Sequence, residues 1–198
     1  MTNILENKNC LITGATGGLG SHLAKILLEH NCNIFLTSKS KLKLQQLQNK
    51  LEKTNKNNCK IIYQYGDLTK ISDIKKIIKN VRKKFKTIDI VINNAGLFLS
   101  KPISKSKIDE FQNIFDVNVR APFLFSKEFS PDMKKKKWGR IINIGSSSSY
   151  QGFSEGTIYC ASKHALLGLS RSLFAELKES KIRTFCISPG SIKTDMGK

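Results

Sequence analysis

The chain has 198 residues, 39% of them hydrophobic, and a formal charge of +19. That length suits one globular domain, residues 1–198, with a substantial core, and no apolar run reaches the roughly 18 residues of a membrane helix, so neither a fragmentary core nor a membrane protein is expected. The charge is almost all lysine spread along helices, while arginine, the better reader of phosphates and bases, is confined to Arg82, Arg120, Arg140, Arg171 and Arg183, so a nucleic-acid partner is set aside.

Strand-like and helix-like stretches alternate along the chain, which predicts an α/β fold with a parallel sheet covered by helices. CLIT (10–13) reads as a first strand, and 18–30 follow as a helix with Leu19, Leu23, Ile26 and Leu27 on one side. Strands at 33–38 and 60–67 flank a helix at 41–53, and a third helix spans 70–85. IDIVINNAG (88–96) is a fourth strand ending in a turn, and 97–108 are a loop. Residues 109–136 form a helix with breaks expected near Pro122 and at Pro131, where the backbone donor is missing. A fifth strand (139–146), a long helix (157–179) and a sixth strand (182–190) complete the pattern. The N-terminus enters a strand almost at once, leaving no room for a signal peptide. Five cysteines form no CxxC pair and three histidines lack zinc-ligand spacing. Free thiols in a reducing cytoplasm, and no metal site, are the expectation.

Two segments carry chemistry. ITGATGGLGSHLA (12–24) leaves a strand, turns on glycines and enters a helix, with Thr13, Gly14, Gly18 and Gly20 in a TGxxxGxG pattern. Glycines allow the backbone to approach a ligand closely, and the helix start offers free N–H groups and a positive dipole end to a pyrophosphate. Thr16 and Leu19 belong to the same candidate cofactor set. The second strand ends on Ser38 and Lys39, where an NAD site usually holds an acid. A hydroxyl and an ammonium suit a 2′-phosphate, so NADP(H) is favoured and NAD(H) stays open. Asp67, beside Leu68, either accepts a hydrogen bond from an adenine amino group or caps the next helix.

The other segment runs SSSSYQGFSEGTIYCASK (146–163). Tyr159 and Lys163 are four residues apart and share a helix face. An ammonium beside a phenol favours the phenolate and is expected to lower its pKa, readying it to exchange a proton with an alcohol or carbonyl oxygen. Ser146 can hydrogen-bond that same oxygen.

GATGGLG, NNAG (93–96), Asn118 in FDVNV, Ser146, YCASK (159–163) and PG (189–190) occur in one order. In this combination the chain resembles the short-chain dehydrogenase/reductase family over essentially its whole length. The resemblance implies a Rossmann-type doubly wound sheet of about six strands in the order 3-2-1-4-5-6. It implies a catalytic set of Ser146, Tyr159, Lys163 and Asn118, with Tyr159 as general acid/base and Lys163 holding the nicotinamide ribose. Asn118 would hold a water that relays protons towards Lys163. Asn94, Ala95 and Gly96 would line the adenosine ribose side, and Pro189, Gly190, Ile192 and Thr194 the nicotinamide.

The activity implied is hydride transfer between NADP(H) and a small carbonyl or alcohol, a 3-oxoacyl thioester or a sugar precursor among the substrates, in a dimer or tetramer. Members usually continue some fifty residues beyond PG to a substrate-covering helix pair and a seventh strand, which this sequence lacks. A dinucleotide-binding protein without turnover is therefore the alternative to an active enzyme.

Overall fold

The computed structural model describes residues 3–190. Six strands, β1 (Asn9–Thr13), β2 (Asn33–Ser38), β3 (Ile61–Tyr65), β4 (Ile90–Asn93), β5 (Gly139–Ile144) and β6 (Ile182–Ile187), form one parallel sheet in the order β3-β2-β1-β4-β5-β6. The inner strands are apolar at successive positions because both their faces are covered. Strand order reverses between β1 and β4, and the carboxyl ends of these two strands part there to leave a crevice.

Helices α1 (Gly18–Glu29) and α2 (Lys41–Glu52) cover one face, burying Ala24, Leu27, Leu28, Leu44 and Leu51 against Ile12, Ile34, Leu36 and Ile92. On the other face lie α3 (Ile71–Phe85), α4 (Ile108–Phe115), α5 (Ala121–Lys136) and α6 (Thr157–Leu177). Their core joins Ile77, Val81, Phe125, Phe129 and Met133 to Leu11, Phe35, Val91 and Ile141. Arg82 of α3 clamps α5: Nε donates to Glu128 Oε1 at 3.0 Å, Nη2 to the Glu128 carbonyl at 2.9 Å, and Nη1 pairs with Asp132. No helix of the described residues is long and apolar enough to cross a membrane.

Several boundaries differ from the sequence reading. The strands expected at 60–67, 88–96, 139–146 and 182–190 stop earlier, at Tyr65, Asn93, Ile144 and Ile187. Their final residues leave the ladder to form the crevice walls. The long helix expected over 109–136 is interrupted before Pro122, by a π-helical turn at Asp116–Arg120. Pro122 itself follows that turn directly, and its missing N–H falls where the regular helical ladder is already interrupted. Pro131 does not interrupt α5, because it lies on the exposed side where water can serve the carbonyl it fails to bond.

Candidate active site

The glycine turn is built by mutual support between β1 and β4. Thr13 Oγ1 accepts from the Asn94 and Ala95 amides at 3.1 and 3.0 Å. Asn94 Nδ2 returns the support, donating to the Thr13 and Gly14 carbonyls, both at 3.0 Å. Gly14 has φ +62°, a left-handed conformation that penalises any side chain. At Gly20 a Cβ would lie 2.3 Å from the Gly14 carbonyl oxygen, so α1 can rise this close to the turn only with glycine there. The N-cap of α1, Gly17, supplies no side-chain acceptor, and the first turn holds no acid. The helix-start amides around Gly18, Leu19 and Gly20 are thus left to an anion, and these residues line the crevice.

At the end of β2, Ser38 Oγ lies 2.9 Å from Thr16 Oγ1 and accepts from the Ser40 amide at 3.3 Å. The Lys39 ammonium reaches Asp67 Oδ2 at 3.2 Å. Asp67 also accepts from the Thr69 amide and hydroxyl, at 3.0 and 2.8 Å. Partial burial pushes its carboxyl up, but the Thr69 bonds and the Lys39 ammonium prevail and hold it below the usual carboxylate range. These contacts tie Asp67 to the turn before α3 and not to that helix, whose N-cap, Lys70, has no side-chain cap. Two residues that sequence reasoning passed over, Ser40 and Lys43, also line this end. Lys43 was hidden among many solvated lysines. The signal available was Ser40, which caps α2 by accepting from the Lys43 amide at 3.3 Å and so turns that helix start towards the crevice.

At the other end α6 brings Tyr159 and Lys163 to the wall. Both side chains are buried, at 8% and 5% exposure, yet both line the crevice. Lys163 Nζ donates to the Ile144 carbonyl at 2.8 Å and lies 5.7 Å from the centre of the Tyr159 ring. Burial pushes the ammonium down to about 8. The expected lowering of the phenol by this ammonium is not what the structure displays. Burial raises the Tyr159 pKa, the Ser146 hydroxyl pulls it partly back, and Cys160 adds a small upward push. The physical reason is placement: Lys163 is committed to a backbone carbonyl and sits over the ring rather than at its oxygen.

Ser146 caps a short 3-10 turn, its Oγ accepting from the Ser148 amide at 3.1 Å. Behind it, the Gly145 amide donates to the Ile187 carbonyl at 2.7 Å and the Ser147 amide to the Pro189 carbonyl at 2.9 Å, so the chain beyond β6 braces the serine turn. Phe98 packs edge-on against Tyr159 with ring centres 4.9 Å apart, and Phe153 stacks on Phe98 at 6.3 Å.

Asn118 stands behind this wall, 1% exposed, on the π-helical turn. Its amide is occupied: Oδ1 accepts from the Leu97 amide at 2.8 Å, and Nδ2 donates to the Leu97 carbonyl at 2.9 Å and to Ser162 Oγ at 3.0 Å. Gly96 lies between it and Lys163, since a Cβ there would come within 3.5 Å of Asn118 Oδ1 and 3.7 Å of Lys163 Nζ.

One crevice of about 810 Å³ therefore gathers Gly14, Thr16, Gly18, Leu19, Gly20, Ser38, Lys39, Asp67, Leu68, Asn94, Ala95, Gly96, Ser146, Tyr159, Lys163, Pro189 and Gly190. Ile192 and Thr194 lie outside the described residues. Among the described residues no cluster of His, Cys, Asp or Glu could hold a metal ion. The crevice fits a dinucleotide: uncapped amides for a pyrophosphate at the switch point, cations by β2, and a Ser, Tyr and Lys at the far end.

Comparison with known proteins agrees with this architecture. An uncharacterised oxidoreductase of Staphylococcus aureus is 32% identical over 191 residues, which cover 96% of this chain and 80% of that protein. A metagenomic short-chain oxidoreductase solved in complex with NADP superposes with a TM-score of 0.89 at 28% identity, covering 99% of this chain and 86% of that one. The L-sorbose reductase of Gluconobacter frateurii, solved with NADPH and L-sorbose, superposes with a TM-score of 0.91 at 25% identity, over 96% of this chain and 72% of that one. The short chain dehydrogenase family model matches residues 8–198, and the chain belongs to that family.

Proposed function

We propose that the protein is an NADP(H)-dependent oxidoreductase that interconverts a carbonyl and an alcohol, with Tyr159 as the proton donor and acceptor. The observation that carries this reading is the convergence of Ser146, Tyr159 and Lys163 at one end of a crevice whose other end is an uncapped glycine turn. The nicotinamide supplies the hydride. In reduction, Ser146 donates a hydrogen bond to the substrate oxygen as negative charge builds there. Tyr159 gives its phenolic proton to that oxygen as the hydride reaches carbon. A phenol held up by burial is a protonated acid at neutral pH, which suits this direction. Lys163 holds the ribose. Asn118, with its amide tied to Leu97 and Ser162, holds the chain after β4 in place, and its second Oδ1 lone pair is the acceptor available to a relay water.

Lys39 and Lys43 at the β2 end favour the 2′-phosphate of NADP(H) over the bare ribose of NAD(H). NADP or NADPH in the related solved structures supports the same choice. For the substrate, the Phe98–Phe153 pair over Tyr159 favours an apolar carbonyl such as a 3-oxoacyl thioester. The sugar reductase among the superposed structures favours a polyol as the second reading. A homo-oligomer in a reducing, cytoplasmic setting is consistent with the family and with five free cysteines.

The test is Tyr159→Phe. We expect NADPH to bind the variant within about twofold of the parent, and carbonyl-dependent NADPH oxidation to fall by roughly 10²–10⁴. Undiminished turnover would remove Tyr159 from the mechanism. NADPH binding by the parent, with no oxidation across a panel of oxoacyl thioesters and ketoses, would identify a binding protein without turnover.

A further inference from the structure

Two segments far apart in the sequence form one part of the crevice wall. Leu68 follows Asp67 in the loop after β3, and Val117 sits on the π-helical turn. Both line the crevice, and both are buried in the same apolar cluster. The Lys39–Asp67 ion pair puts this wall beside the proposed 2′-phosphate site.

Arg120 ties the two segments together. Its Nη2 donates to the Thr69 carbonyl at 2.8 Å, across 51 positions of the chain, and its Nη1 pairs with Asp116. Among the described residues this is the one hydrogen bond between the loop after β3 and the π-helical turn. Thr69 is also the residue whose amide and hydroxyl hold the Asp67 carboxylate. A second anchor holds the loop from α3, where Asp73 Oδ2 accepts from the Asp67 amide at 3.0 Å. Losing Arg120 would therefore leave the loop attached to α3 but no longer to the turn that carries Val117.

Stability alone is a poor account of this arginine. Its Nε–H is buried without an acceptor, which is costly. An i,i+4 pair with Asp116 turned towards water would avoid that cost, and such a pair adds little by itself. The guanidinium bears the orphaned donor where it reaches Thr69.

We propose that Arg120 is a positioning residue for the adenosine half of the cofactor. It holds Leu68 and Val117 at a fixed separation, so the nucleoside enters a preformed slot and does not have to order the loop on binding. The inference rests on the reading of the crevice as an NADP(H) site, and it gives Arg120 no contact with the nucleotide.

The test is calorimetric titration with adenosine 2′,5′-bisphosphate and with NADPH, which needs no turnover. Arg120→Met should weaken both ligands by the same factor, about tenfold, as one charge-assisted bond is lost and the loop must be ordered by the ligand. NADH should lose affinity by that factor too, whereas a residue serving the 2′-phosphate would spare it. In steady-state kinetics KM for NADPH should rise while kcat at saturating cofactor stays within about twofold of the parent. Arg120→Lys, whose ammonium can still donate to the Thr69 carbonyl, should recover most of the affinity. Arg120→Gln takes the place of the methionine variant should that one not fold. Three results would overturn the proposal: undiminished bisphosphate binding by Arg120→Met, a loss confined to NADPH, or a folded Arg120→Lys that binds no better than Arg120→Met. A parent protein that binds neither ligand would instead refute the dinucleotide site itself, and the role of Arg120 with it.

Discussion

Lys163 is held at a conflict between its charge and its surroundings. It is 5% exposed, has no carboxylate beside it, and is satisfied by one carbonyl. Burial brings its pKa to about 8, below its ordinary value of 10.5. Between these values the unfolded chain binds the proton and the folded chain does not. Stability of the nucleotide-free protein should therefore climb as pH rises through about 8 and level off above about 10.5. Tyr159, raised by burial, works the other way only where the phenol itself ionises. Lys163→Met should melt a few degrees higher than the parent at neutral pH and show a flat melting temperature over that window. Thermal melts at several pH values check this, and a variant that melts lower at neutral pH would refute the strained ammonium. The residue identities at this site were legible in the sequence, whereas the sign of the phenol shift was not. Four residues on a helix fix a shared face, but not which atom the ammonium serves.

The elements were legible wherever their periodicity was unbroken. All six strands and their order followed from alternating βα units and the resemblance. The ends were not legible, because residues such as Asn94 and Ala95 are apolar or amide-bearing like strand residues yet bond to the Thr13 hydroxyl instead of to a neighbouring strand. The π-helical turn was hidden for a related reason. A break near Pro122 was legible, but its form was not: DVNVR itself carries no breaker, and the three contacts of the Asn118 amide that accompany the widened turn are made with distant residues. Asn118→Ala would strand the Leu97 amide and carbonyl. At about 1 kcal/mol for each lost bond, the expected loss is roughly 2–4 kcal/mol of stability. Denaturant titration measures it. If Asn118 acts also as a relay acceptor, kcat should fall more than the NADPH affinity does.

Over the whole molecule the charge is unevenly used. Asp73, Asp89, Glu110, Asp116, Glu128 and Asp132 each meet a basic partner within the fold. The excess is therefore carried by solvated lysines, and the field they create should draw anions to the crevice. Lys39 is itself 65% exposed at the side chain, so its hold on a phosphate is screened by salt. Raising ionic strength should increase KM for NADPH more steeply than for NADH. Lys39→Ala should raise KM for NADPH by about tenfold, as one charge-assisted contact is lost, and leave NADH nearly unchanged. Steady-state kinetics with both cofactors at two salt concentrations decides it, and equal salt slopes would count against a 2′-phosphate site.

The brace behind Ser146 is also crowded. A Cβ at Gly145 would stand 2.6 Å from Ser188 Oγ and 2.9 Å from both Cys186 Sγ and Ser149 Oγ. Cys186 is only half-buried. Alkylation of its sulfur would wedge bulk into a turn that has no room for a methyl group. The protein should therefore be inactivated by maleimides although its proposed chemistry uses no thiol, and Cys186→Ala should make it resistant.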